Sequence, residues 1–145
     1  MLENLKAATF EIFETMFFLF PESWEEGQMR FAGAGLMAWT PVTGPKSFHI
    51  GLVVPQSLAQ KMAKNFLGLG EGGPEWENLE DLLQEAANMV AGTFLSREQV
   101  SQSYRLALPH SARINFDVNQ WQPHDQHLLF MVDDHGLEVF LERTS

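Results

Sequence analysis

The sequence predicts an α/β chain of the α+β type, with three main helices packed against an antiparallel or mixed sheet. Two observations carry that prediction. Apolar residues recur at helical spacing in three separate stretches, beginning near Leu2, Pro55 and Asn78. Around them lie runs of two-residue alternation, some of them joined in pairs by short turn-rich segments, as hairpins are.

The first stretch, Leu2 to Phe20, places Leu2, Leu5, Ile12, Phe13, Met16 and Phe20 on one side and Glu3, Ala7, Glu11 and Glu14 on another. Its last turns are apolar nearly all round, so Phe10, Phe17 and Phe18 are expected in a thick core, the alternative being that they face a partner, and Pro21 is expected to end the helix. Gln28 to Thr40 then alternates as a strand, and Gly33 and Gly35 within it suggest a bulge or a close backbone approach. Pro41 to Pro45 reads as a turn, and Ser47 to Val54 returns as the second strand of a hairpin. Pro55 opens a second helix to Leu67, with Leu58, Ala59, Met62, Ala63 and Phe66 inward. The glycine-rich linker 68–74 is a loop.

The third helix organises the rest. Asn78 stands where an N-cap belongs, Glu80 and Asp81 follow where the helix dipole favours acids, and Leu79, Leu82, Leu83, Ala86, Val90 and Phe94 form the core face. Half a turn away Asp81, Glu85, Asn88 and Gly92 recur at intervals of three and four, which stacks them along one outward stripe. Glu85 only accepts hydrogen bonds, whereas the Asn88 amide both donates and accepts; side by side they suit gripping a cation and orienting a water. A mid-helix glycine costs about 1 kcal/mol against alanine, and close approach of another backbone at Gly92 would explain it. After this helix, residues 99–109 are extended, and strands are expected over 113–121, 127–132 and 137–141, the last two joined by a turn at Asp133-Asp134-His135-Gly136.

Composition narrows the function. A chain of 145 residues is one domain by length. With no cysteine it has no disulfide, thiolate metal site or thiol nucleophile. Nineteen acidic residues against nine basic ones give a net charge of -10, which makes nucleic acid and anionic membrane poor partners. The N-terminus has no leader pattern and Phe17 to Phe20 is too short to span a bilayer, so a cytoplasmic location is expected. His124 and His127 have a zinc-like spacing, yet in a turn containing Pro123 and Asp125, with no cysteine near, they read as surface residues and no metal site is expected. Asp133 and Asp134 read as turn residues. Of the four tryptophans, Trp76 lies just before the third helix and is the one expected to help hold a partner.

Glu85-Ala86-Ala87-Asn88-Met89-Val90-Ala91-Gly92 resembles the Glu-x-x-Asn signature helix of the CheC/CheX/FliY chemotaxis phosphatases, and its Asn-Met-x-x-Gly continuation is closest to the CheX branch. Agreement extends to Phe13-Glu14-Thr15-Met16 in the first helix and to Leu106-Ala107-Leu108-Pro109. In two-site relatives of the CheC kind the first helix carries its own Glu-x-x-Asn; here Glu14 is followed three residues on by Phe17, which cannot orient a water, so one site per chain is expected.

The resemblance implies a CheX-like fold, a homodimer joined through edge strands, and hydrolysis of the phosphoaspartate on a CheY-like response regulator. It implies no cofactor of its own, since the regulator supplies Mg2+. Asn88 would position the attacking water, Glu85 would engage the regulator's lysine, and Asp81, Gly92 and Trp76 would contact the partner. Placing one water suffices for a labile acyl phosphate: a hundredfold acceleration needs only about 2.7 kcal/mol. The alternative is a non-catalytic adaptor that binds the regulator through the same helix face; burial of the stripe would instead point to a structural subunit.

Overall fold

The computed structural model describes residues 1–23, 31–68, 75–117 and 122–144, and in them the strand pairings are all antiparallel. The hairpin of β2 (Ala34–Thr43) and β3 (Phe48–Pro55) is the centre of the sheet, in register from Gly35 opposite Pro55 to Val42 opposite Phe48. β7 (His135–Arg143) pairs with β3, β6 (Gln126–Val132) with β7, and the short β1 (Glu22–Ser23) with β6. On its other side β2 pairs with β5 (His110–Asn115) as far as Trp39, and with β4 (Arg105–Leu106) from Val42. Seven strands thus form one sheet.

Alternation along the strands assigns the two faces. Leu36, Ala38 and Val42 of β2, Ile50, Leu52 and Val54 of β3, and Leu137, Val139 and Leu141 of β7 join one core. Into it pack Leu5 and Phe13 of α1 (Leu2–Met16), Leu58 and Met62 of α2 (Gln56–Leu67), and Leu79, Leu83, Val90 and Phe94 of α3 (Trp76–Arg97). At about 1.5–3 kcal/mol for each large apolar side chain buried, this packing is what seats α3 across β2. The opposite face carries a smaller cluster of Phe31, Val53, Phe116 and Phe140.

Several elements differ from the expectation for local reasons. α1 ends at Met16, four residues before Phe20, because Phe18 turns left-handed with φ 54 and the Leu19 N–H reaches back to the Phe13 carbonyl at 3.0 Å. Phe17 is buried and Phe10 half-buried, but Phe18 is 64 % exposed and not in the core. Pro41 continues β2 instead of opening a turn; it lies where β2 changes neighbours, and its carbonyl accepts the Ala107 N–H at 2.9 Å. α3 starts at Trp76 with Glu75 as N-cap, which places Asn78 inside the first turn. Gly33 has φ +67 and holds back β2 until Ala34, while Gly35 leaves the room that the Phe116 ring occupies.

β5 runs over His110–Asn115, earlier than expected, since Phe116 and Asp117 turn back: the Asp117 N–H donates to Asn115 Oδ1 and the Gly33 N–H to Asp117 Oδ2. The rest of the expected strand, 118–121, the start of the first strand, 28–30, and linker residues 69–74 lie outside the described residues. The last hairpin is tighter than expected, with Asp133 and Asp134 as a two-residue loop at φ 47 and 67, the left-handed pair that such turns require.

Candidate functional site

α3 presents the stripe because its opposite side is committed to the core: Leu79, Leu83, Ala86, Ala87, Val90 and Phe94 are buried. Asp81 and Glu85 are exposed, and Asn88 and Gly92 half-buried, so the stripe lies at the surface and the purely structural reading loses its ground. Among the described residues neither Asp81 nor Glu85 has an ion-pair partner. Glu80 of the same helix differs: it pairs with Arg113 at 2.5 Å, and Glu98, the residue that caps the helix, accepts a hydrogen bond from Asn4. The two carboxylates along the stripe are therefore free to receive an external group.

Asn88 is held from below. The Thr40 hydroxyl of β2 donates to Asn88 Oδ1 at 2.7 Å, and Thr40 is wholly buried. The other amide position has no partner among the described residues. A tethered amide with one free end beside an exposed carboxylate can orient a small polar molecule, and neither group needs to titrate for that.

Apolar side chains flank the stripe. Phe66 of α2 stands 38 % exposed, its ring 5.6 Å from that of Phe17, and lines a shallow hollow with Asn78, Asp81, Leu82 and Glu85. It was expected inward with Leu58, Ala59, Met62 and Ala63, which are buried; Phe66, at the C-terminal turn of α2, projects beyond that core. Beside Gly92, Leu106 lies 39 % exposed. Among the described residues a Cβ built on Gly92 would meet only Leu106 Cδ1, at 3.8 Å, so they do not supply the close backbone approach expected there. Gly92 is open outward.

Trp76 stands apart from the stripe. It begins α3, more than three turns from Asn88 and on the side of the helix opposite Glu85 by the helical repeat. It is half-buried against the core, with the Arg113 guanidinium 5.3 Å from its ring. In α1, Glu14 is exposed but Phe17, three residues on, is fully buried, so this position offers no second copy of the stripe. Sequence reasoning missed Thr40, whose signal was a hydroxyl in the inward row Leu36, Ala38, Thr40, Val42.

The histidines near the last strands are not loose surface groups. His124 stacks on Phe140 with centroids 3.6 Å apart, and its Nδ1 and backbone N–H both lie within hydrogen-bonding reach of the buried Glu138 carboxylate. Burial works to lower the His124 pKa, but Glu138, then Glu142 and Asp125, outweigh it and leave the pKa raised from 6.5. His127 Nδ1 faces the His124 carbonyl. Among the described residues no three His, Cys, Asp or Glu side chains converge on a metal position, and no helix is long and apolar enough to cross a membrane.

With this geometry in place, the chain can be set beside known proteins. The family model described as chemotaxis phosphatase CheX matches residues 36–115. No curated protein matches the chain. Among solved structures, chemotaxis protein CheX from Vibrio vulnificus has a TM-score of 0.71 at 16 % identity, covering 97 % of this chain and 95 % of that one. The CheX of Borrelia burgdorferi, solved as a complex with CheY, BeF3 and Mg2+, has a TM-score of 0.72 at 15 % identity, covering 99 % and 97 %. FliY from Thermotoga maritima has 0.63 at 14 %, covering 97 % and 84 %.

Proposed function

The chain belongs to the CheX family of chemotaxis phosphatases, and on that premise we propose that it hydrolyses the phosphoaspartate of a CheY-like response regulator. Water attacks phosphorus in line, the bond from phosphorus to the aspartyl oxygen breaks, and that oxygen leaves with the electron pair as carboxylate. The former water oxygen stays on the released inorganic phosphate, and its surplus proton passes to phosphate or solvent. Asn88 holds the attacking water through its amide. Glu85 accepts a charge-assisted hydrogen bond from the regulator's lysine. Mg2+ is part of the regulator's site in this reading; the Borrelia burgdorferi CheX structure, which contains CheY, BeF3 and Mg2+ together, supports that division of labour.

One observation carries the proposal: an exposed Glu85, without an ion-pair partner among the described residues, and a tethered Asn88 lie one turn apart on a surface stripe of α3. Asp81 and Gly92 extend the contact along that stripe; Trp76, on the opposite side of α3 and covered by Arg113, would reach a partner only if that partner extended past the helix. By the same family reading the chain acts in the cytoplasm, as a homodimer joined through edge strands. The test is phosphate release from a Mg2+-bound phosphorylated CheY-like regulator of the same organism at substoichiometric protein. Release should accelerate, and the acceleration should vanish in Asn88→Ala. Binding without acceleration would establish the adaptor in its place.

A further inference from the structure

We infer that Thr40 is a positioning residue for Asn88: its buried hydroxyl fixes the plane of the Asn88 amide, so that one end of the amide is used up inside the protein and the other is aimed at the water. This rests on the phosphatase reading for its catalytic consequence, but its structural half stands independently.

The inward face of β2 reads Leu36, Ala38, Thr40, Val42, and the three hydrophobic members of that row are buried in the helix-facing core. Thr40 is equally buried, at 0 % exposure. Valine has the same shape and strand preference and would bury a methyl in place of a hydroxyl, which is costly to leave unpaired in a core. The described residues contain two other buried polar side chains. Thr9 satisfies itself on the Leu5 carbonyl of its own helix, and Glu138 holds the His124 segment. Thr40 instead reaches across 48 positions of sequence to one side chain of the surface stripe, at 2.7 Å.

The geometry decides what this bond does. Terminal amide torsions are broad, so an Asn on an exposed helix face samples many orientations. With Oδ1 accepting from Thr40 and no other partner among the described residues, the single bond is what selects one orientation. Pre-orienting the amide removes an ordering cost that would otherwise fall on the transition state. Small neighbours permit the arrangement: Ala38 on β2 and Ala87 and Ala91 on α3 are all buried where helix and strand meet.

Thr40→Val removes the hydroxyl and keeps the shape; Thr40→Ala removes it with a loss of volume; Thr40→Ser keeps it. With a Mg2+-bound phosphorylated CheY-like regulator as probe, Val and Ala should both lower kcat by about two- to tenfold, the range expected for one net hydrogen bond. KM should hold, and Ser should recover most of the rate. In the Asn88→Ala background Thr40→Val should cost nothing further, because the group it positions is gone. Unchanged kcat in folded Val and Ala variants, or full additivity with Asn88→Ala, would overturn the assignment. A packing effect alone would separate Ala from Val and would not follow the hydroxyl. A second readout is independent of turnover: the Asn88 side-chain NH2 signals in NMR should be sharp and ordered in the parent and in Ser, and motionally averaged in Val and Ala. If the parent fails to accelerate phosphate release, the phosphatase reading falls while these signals still decide Thr40's role; if they are identical in all four proteins, the inference falls by itself.

Discussion

Glu85 and Asn88 are neighbours on one helix face with different surroundings, and that difference predicts different defects. Asn88 is tethered at one end through Thr40, so its replacement by alanine leaves the surface shape nearly intact and removes a pre-aimed group. Asn88→Ala should reduce kcat toward the regulator's own dephosphorylation rate with little change in affinity. Glu85 is exposed and has no ion-pair partner among the described residues, so its carboxylate is available for a lysine on the partner. Glu85→Ala should raise Kd for a regulator loaded with BeF3 and Mg2+ about tenfold, the scale of one exposed charge-assisted bond, with a smaller effect on kcat. Calorimetric binding beside single-turnover kinetics separates the two; small, equal defects in both variants would contradict the assignment. The pair was legible in the sequence because helical periodicity places i and i+3 together. Thr40 was not, because its contact depends on the strand that packs beneath α3, a relation that no local pattern records.

At the level of elements, α3 was legible and its neighbours were less so. Its core face followed from spacing alone, whereas its start at Trp76 did not, since Glu75 caps it without a side-chain bond. The end of α1 was hidden too: no sequence rule puts a bulky Phe18 at φ 54, where the chain turns and the Leu19 N–H closes on the Phe13 carbonyl. Gly92 offers a test on α3. Its outward space admits a Cβ with one ordinary contact to Leu106, so Gly92→Ala should stabilise the isolated protein by about 1 kcal/mol and raise Tm by about 2–4 °C. The same methyl should weaken regulator binding several-fold, because a partner's backbone would fill that space in the docked state. Thermal melts and binding on one preparation give both signs, and a stabilised variant with unaltered affinity would remove Gly92 from the interface. His124 ties the segment before β6 to Glu138 on β7. Its pKa is raised in the folded chain, so this contribution is complete below the unfolded value of 6.5 and is lost as pH rises through the higher folded value. Across that window the parent should lose more stability with rising pH than His124→Gln, as measured by denaturant unfolding at paired pH values; parallel curves would show that His124 carries no linkage.

For the whole molecule the decisive quantity is charge. The chain carries -10, and a regulator's phosphorylation site is itself acidic, so long-range forces oppose the encounter that the stripe requires. Net charge alone does not locate the relief of this conflict, because that depends on which charges the fold pairs. In the structure Arg113 is engaged by Glu80, and Lys61 by Asp133 at 2.5 Å, so part of the basic complement is already matched within the chain. Attraction must then come at short range, from Glu85 meeting a lysine and above all from the apolar neighbours Phe66 and Leu106, whose contacts salt does not screen. Repulsion between net charges acts at longer range and is screened: the Debye length falls from about 30 Å at 0.01 M to about 10 Å at 0.1 M ionic strength. KM should therefore fall as salt rises over that interval at saturating Mg2+, opposite to the dependence of electrostatically steered pairs. Steady-state phosphate release at the two ionic strengths measures it. A KM that rises with salt would mean that exposed Lys and Arg near the stripe dominate the encounter, and that the apolar flanks contribute less than their exposure implies.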